Sequence, residues 1–278
     1  MTMPNATMDC NSLRRRFDAQ WAQGEADVAC VIEVVDSITS TNAKLLSEAE
    51  QSAAHFLIAR QQTAGVGRRG GAWQSPPSGN LYLSYCFHTT EALSVVALLP
   101  LALGVEIALE IESKFGVSIQ LKWPNDLYLN GKKFGGILLE TKTLKDDVTA
   151  VVVGVGVNVA NHPNEELLGR PVTSLQCASE EPIPLESVAI AVMTAIKFVS
   201  ELPAIEVYDR LVNHWPSRDL LLHQPVTVSQ SAGRDVRGVA KGIATDGGLR
   251  VDCGDRIETF YAGEVRLGHV GSGGSVAK

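Results

Sequence analysis

The chain has 278 residues, 45% apolar and 20% charged, with 24 Lys and Arg against 31 Asp and Glu, a formal net charge of −7. That length fills one large core or a medium domain plus a small one, and the composition excludes disordered, collagen-like and disulfide-scaffold chains. The acidic balance also argues against sequence-independent nucleic-acid binding, which draws on a surplus of cations.

Residues 1–30 are polar, with Arg14-Arg15-Arg16 and no apolar run. No cleaved secretory signal is expected there, and at most one amphipathic helix, Leu13 to Trp21. From Val31 strands and helices alternate. Val31–Val35 predicts a strand, and Ser40 or Thr41 caps a helix through Glu48 with Leu45, Leu46 and Ala49 on its inner face. His55–Arg60 is a second strand. Leu81–Phe87 alternates, with Leu81, Leu83, Tyr85 and Phe87 on one face and Tyr82, Ser84 and Cys86 on the other.

Ser94–Ser113 is helical in pattern. Its most apolar part, Leu93–Val105, is interrupted by Pro100 and Gly104 and is too short to cross a bilayer, so a buried helix is expected. Ile119–Lys122, Leu127–Leu129 and Phe134–Glu140 are strands, the last two joined by a tight Asn130-Gly131 turn. Val148–Val159 is a long buried strand, and Leu185–Glu201 a helix with Val188, Val192, Ala195, Ile196 and Val199 at helical spacing. After Pro225, short strands with turn residues suit a small β-barrel. The expected division is a polar segment 1–30, a main domain 31–222, a C-terminal unit 223–270 and a flexible tail 271–278. Five cysteines, odd in number and without a CxxC, predict free thiols in a reducing, cytoplasmic setting.

Three segments carry chemistry. Gly65-Val66-Gly67-Arg68-Arg69-Gly70 matches GxGxxG in letters. A dinucleotide site needs a helix after the last glycine, and Pro76-Pro77 make one implausible. No GxxxxGK[ST] occurs either. What is left is a flexible loop with paired arginines, flanked by Gln62 and Trp73; a solvated turn competes with a phosphate-binding loop, and the indole and amide at fixed offsets favour the latter.

The second segment is Lys122-Trp123-Pro124-Asn125-Asp126, with Lys133 brought back toward the Asn-Asp corner by the hairpin. Lys133 is favoured as a ligand-binding residue, whereas Lys122 is equally well read as half of a structural ion pair. The third is Gly154-Val155-Gly156-Val157-Asn158, where alternate glycines leave one strand face bare. A flat ligand on one side, and a β-bulge or close helix packing on the other, are both open there.

Taken together, these segments resemble a biotin–protein ligase of the monofunctional type. Ser40-Thr41-Asn42, Gln62 to Trp73, Ser78-Gly79-Asn80-Leu81-Tyr82, Lys122–Asp126, Lys133–Glu140, Gly154–Asn158 and Ala262-Gly263-Glu264-Val265 follow the family's order over residues 31 to 267. The resemblance implies an α+β fold, with a mixed β-sheet catalytic domain of the class II synthetase type and a C-terminal SH3-like barrel. It implies a two-step reaction in which biotin and MgATP give biotinyl-5′-AMP, and the biotinyl group passes to a lysine of a biotin carboxyl carrier protein of a biotin-dependent carboxylase.

By the same resemblance Ser40, Thr41, Asn42, Gln62, Val66, Gly67, Arg68 and Lys133 bind biotin and close over it. Trp73, Asn125, Asp126, Lys133, Gly154, Gly156 and Asn158 fall on the nucleotide side. Lys133, Arg68 and Asp126 are the catalytic candidates, with Asp126 open to three roles: acceptor for the lysine proton, Mg²⁺ ligand, or ion-pair partner of Lys122. Three positions depart from the family, where arginines are frequent: Val66, Gly71 and Gly268. Family members often form homodimers. No room is seen for an N-terminal winged helix, so repression of biotin genes and DNA binding are not expected; nor is membrane binding, given the short apolar run. The rival readings are a lipoate or octanoate ligase or transferase on the same scaffold, a non-catalytic biotin sensor bound to DNA, and an RNA-binding barrel, which the charge disfavours.

Overall fold

The computed structural model describes residues 8–21, 30–76, 79–230 and 233–268. The expectations placed on residues 1–7 and 22–29, on Ser78 and on 271–278 lie outside them.

A first helix, α1 (Cys10–Trp21), precedes β1 (Val31–Ile38), α2 (Thr41–Ser47) and β2 (His55–Gln62). The short α2 is the crossover that lets β2 run parallel to β1, with Ile38 in register with Gln62. β3 (Leu81–Thr89) turns back antiparallel to β2. Then come α3 (Leu93–Val96), α4 (Leu99–Phe115), β4 (Gln120–Lys122), β5 (Asp126–Leu129), β6 (Lys132–Thr143) and β7 (Thr149–Val157). β7 slots between β3 and β6, giving one mixed sheet in the order β1-β2-β3-β7-β6-β5-β4. After α5 (Glu165–Leu168), α6 (Leu185–Glu201) and α7 (Ala204–His214), a second, antiparallel sheet forms. Its strands are β8 (Pro225–Ser229), β9 (Asp235–Ile243), β10 (Leu249–Asp252), β11 (Ile257–Phe260) and β12 (Glu264–Leu267), in the order β11-β10-β9-β8-β12. The class is α+β.

The period-2 alternation of β3 and β7 decides which face is which. Leu81, Leu83, Tyr85 and Phe87 of β3, with Val151, Val153, Val155 and Val157 of β7, join the main core under α1, α4 and α6. On the opposite face Leu57, Cys86, Ala150 and Val152 form a smaller cluster with Leu45 of α2 and Ala49 just beyond it. Continuing along β7 on that second face come Gly154 and Gly156, where apolar packing stops and a cleft begins.

Element boundaries moved in places, each for a local reason. The apolar helix divides into α3 and α4, and Pro100 falls in the first turn of α4, where its missing N–H leaves no bond unmade. Leu93–Phe115 is long and apolar enough to cross a membrane, yet 67% of its apolar stretch is buried inside the protein. Asn130 and Gly131 both take positive φ, 49° and 74°, as a tight hairpin between β5 and β6 requires. The helix α7 was not anticipated: its first turn follows Pro203, and only Val207 and Leu211 of it are buried. The two sheets are joined at the turn that ends β4, where the buried Trp123 Nε1 donates to Gly247 O at 2.9 Å.

Candidate active site

A cleft of about 790 Å³ opens over the glycine end of β7. Its walls come from the start of α2, the end of β2, the 66–73 loop, the 122–126 turn, Lys133 at the head of β6, the 169–171 loop and β12. Every residue assigned to the site from the sequence lines it except Asn158.

One wall is a buried polar network. Ser40 caps α2, its hydroxyl accepting from Ala43 N–H at 3.3 Å, which fixes where Thr41 and Asn42 point. Gln62, brought alongside by the parallel β1–β2 pair, accepts with Oε1 from Thr41 N–H (2.8 Å) and from the Thr41 hydroxyl (3.1 Å). Ser84 Oγ stands 2.7 Å from Thr41 Oγ1 and 2.5 Å from Asn42 Oδ1. Asn42 Nδ2 donates to Glu140 Oε2 at 2.9 Å. Ser84 and Glu140 were not singled out from the sequence; the period-2 alternation of their strands places both on the face that carries Gly154.

The glycines of β7 are explained by the same wall. A Cβ on Gly154 would stand 2.2 Å from Asn42 Oδ1, and one on Gly156 would stand 2.5 Å from Cε2 and Cζ2 of Trp73. The strand face is therefore not bare. The chain's own amide and indole lie against it, so of the two readings left open close packing is the one found.

The other wall is cationic. Lys133 Nζ donates to Asp126 Oδ1 across the β5–β6 pair, as the hairpin predicts, and Lys133 is only 8% exposed. Asp126 thus pairs with Lys133 rather than with Lys122, whose ammonium lies 5.7 Å from the Tyr128 ring centroid. Lys133 Nζ also stands 5.6 Å from the Trp73 ring, whose own Nε1 is buried without a partner. Burial pushes the Lys133 ammonium below the usual lysine range, with the attraction of Asp126 opposing. Lys122 is lowered by the same two opposed causes.

The glycine-arginine loop contains no helix, only one 3-10 turn over Arg68–Gly70 closed by a Val66–Ala72 bridge. That excludes a dinucleotide fingerprint. Gly67 N–H donates to Gly71 O and Gly71 N–H to Arg68 O, leaving the Arg68 side chain directed at the corner, where Nη1 meets Asn125 Oδ1 at 3.4 Å. Asn125 is held in turn by Ile137, through Nδ2 to the Ile137 carbonyl (2.5 Å) and Ile137 N–H to its own carbonyl (2.9 Å).

Asn158 is the correction. It lies just beyond β7, 4% exposed and outside the cleft, with Nδ2 donating to Thr173 O at 3.0 Å. Thr173 N–H donates to Lys133 O at 2.9 Å, and Lys133 N–H to Pro171 O at 3.3 Å. Asn158 therefore braces the strip that flanks Lys133. Its spacing after the glycines signalled a functional residue but not which side of the strand it serves.

Arg170 and Tyr128 line the cleft without having been foreseen; Glu264, from the Ala262-Gly263-Glu264-Val265 segment, and Arg266 line it too. The one signal for Arg170 was a cation set between glycine and proline. Arg266 is paired with Glu264 at 3.6 Å, and Gly268 makes only a backbone bond to Pro225 O. Among the described residues no group of three or more His, Cys, Asp or Glu side chains could hold a metal ion.

A cleft on one face of a mixed sheet, polar on one side and cationic on the other, is the kind of site that holds a small anionic ligand. Comparison with known proteins agrees. Residues 31–158 match the biotin/lipoate A/B protein ligase family and residues 221–268 the biotin protein ligase C-terminal domain. The bifunctional ligase/repressor BirA of Escherichia coli is 31% identical over 260 residues, 90% of this chain and 78% of that protein. The biotin–[acetyl-CoA-carboxylase] ligase of Paracoccus denitrificans is 31% identical over 240 residues, 81% of this chain and 98% of that one. The biotin protein ligase of Aquifex aeolicus, solved with biotin and ATP, superposes with a TM-score of 0.72 at 26% identity, covering 86% of this chain and 99% of that one. The chain belongs to the biotin protein ligase family.

Proposed function

We propose that the cleft activates biotin with ATP and passes the biotinyl group to a lysine of a biotin carboxyl carrier protein. In the first step a biotin carboxylate oxygen attacks the α-phosphorus, and the bond from that phosphorus to the bridging oxygen breaks. Its electron pair leaves with pyrophosphate. The carboxylate is ionised at neutral pH, so no general base is needed. The barrier is anion meeting anion, and fixed cations are the remedy.

Lys133 and Arg68 sit at one corner, held by Asp126 and Asn125, and this pairing of two tethered cations with the polar wall is what carries the reading. At about 4 Å and an effective dielectric near 20 each cation contributes on the order of 4 kcal/mol before desolvation. The Thr41–Gln62–Ser84–Asn42 network is the complementary surface for the polar groups of biotin. Trp73 and Asn125 form the nucleotide side, with Gly154 and Gly156 making room for the Asn42 amide and the Trp73 indole. Val66, Gly67 and Arg68 form a cover that shields the mixed anhydride from water. Magnesium accompanies the ATP phosphates and screens their charge.

In the second step the lysine amine of the carrier attacks the acyl carbon, AMP leaves, and the amine loses its proton. Asp126, the carboxylate that pairs with Lys133 in the cleft, is the group assigned to receive or orient that amine. The same reading takes the protein as a cytoplasmic enzyme that acts without DNA or membrane, with a homodimer as its expected assembly. A C-terminal match specific to biotin ligases supports biotin over lipoate or octanoate.

ATP–pyrophosphate exchange run in parallel with biotin, lipoate and octanoate tests this. Exchange with biotin alone is expected, and Lys133→Ala should abolish it. Equal exchange with lipoate, or none with biotin, overturns the reading. A gel shift with biotin-operator DNA tests the regulatory rival, and no shift is expected.

A further inference from the structure

The cations of the cleft differ in whether they are already engaged. Lys133 is bound to Asp126, Arg68 to Asn125, and Arg266 to Glu264, while Lys122 rests over the Tyr128 ring. Arg69 and Arg170 are both exposed, line the same cleft and, among the described residues, make no ion pair or hydrogen bond; of the two, Arg170 belongs to the strip beside Lys133. It is not loosely attached. The next residue, Pro171, accepts the Lys133 N–H, and Thr173 donates to the Lys133 carbonyl, so the strip carrying Arg170 is fastened to the head of β6. Its charge acts on both Lys122 and Lys133, consistent with a guanidinium directed into the cleft.

A guanidinium without a protein partner beside three engaged cations has the chemistry of a phosphate fork, since its planar donors match two phosphate oxygens at once. The glycine-arginine loop supplies few cations of its own, with Val66, Gly71 and Ala72 at three of its positions. Taking the proposed ligase reaction as given, we infer that Arg170 binds the β- and γ-phosphates of ATP and the pyrophosphate that leaves. It acts before and during departure of pyrophosphate, and has no part once only the adenylate remains.

That asymmetry is testable with preformed biotinyl-5′-AMP, which runs either way. With pyrophosphate it returns biotin and ATP; with a biotin carrier domain it gives biotinylated lysine and AMP. Arg170→Ala should raise the KM for pyrophosphate about tenfold, the scale of a lost charge-assisted bond, and leave the transfer rate and the biotin Kd unchanged. Arg170→Lys, which keeps the charge but not the fork, should fall between.

An unchanged pyrophosphate KM overturns the assignment. So does an equal loss in both half-reactions with a lowered Tm, which marks a structural residue. Wild-type enzyme assayed alongside separates this from a wrong function, because a protein that is no biotin ligase consumes the adenylate in neither direction.

Discussion

Gly154→Ala is the sharpest test of how the cleft is built. The added methyl carbon would stand 2.2 Å from Asn42 Oδ1 and 2.9 Å from its Cγ, whereas an unstrained contact needs well over 3 Å. The Asn42 amide must retreat by roughly 1 Å. From a starting distance of 2.5 Å to Ser84 Oγ, that retreat takes the contact to the limit of hydrogen bonding, and it displaces the 2.9 Å bond to Glu140 as well. One neutral and one charged hydrogen bond are worth about 2–4 kcal/mol together.

Part of this appears as lost stability, roughly 2–4 °C in Tm for a protein of this size. The remainder appears as weakened biotin binding, about tenfold, since under the proposed function the displaced amide faces biotin. Thermal unfolding with and without biotin, paired with calorimetric titration, measures both. A second variant isolates the cause: added to Asn42→Ala, Gly154→Ala should cost little more, since the atoms it strikes are gone. A biotin Kd within twofold of wild type at an unchanged Tm would refute the argument. So would full additivity of the two substitutions.

Two further outcomes follow from the cationic wall. Burial lowers the Lys133 pKa, so its charge is lost as pH rises before an ordinary lysine would lose it, and adenylate formation should fall along that alkaline limb. Over the same window the unfolded chain binds more protons than the folded one, so this group makes stability rise with pH while activity drops. Lys133→Arg should move the limb upward, and an unmoved limb would assign it to another group. Arg68→Gly should release biotinyl-5′-AMP faster while slowing its synthesis less, as measured by trapping free adenylate; equal retention by variant and wild type would remove Arg68 from the cover.

Much of this architecture can be read from the chain because its strands alternate cleanly. The two faces of β3 and β7, the Asn130-Gly131 hairpin and the return of Lys133 to the Asn125-Asp126 corner all follow from period and turn chemistry. The Ser40 cap follows from residue type. What escaped depended on contacts distant in sequence. Gly154 and Gly156 announce a close approach without naming the visitor, and only the packed sheet shows it to be Asn42 and Trp73. Asn158 sits beside site residues in sequence yet serves the strip behind Lys133, because the chain turns away at the end of β7. Arg170 lies in a loop without periodicity, and its place depends on backbone bonds to Lys133 that no local pattern encodes.

The single bond from Trp123 to the Gly247 carbonyl has a consequence for how such an enzyme can be divided or altered. It makes the small second sheet a strut under the turn that aims Asn125 and Asp126, rather than an appendage. A chain shortened before β8 keeps every side chain assigned to chemistry, yet it leaves a buried indole with no acceptor and that turn without its prop. Damage at the Asp246-Gly247-Gly248 bend would then surface as poor handling of nucleotide, a symptom far from its origin.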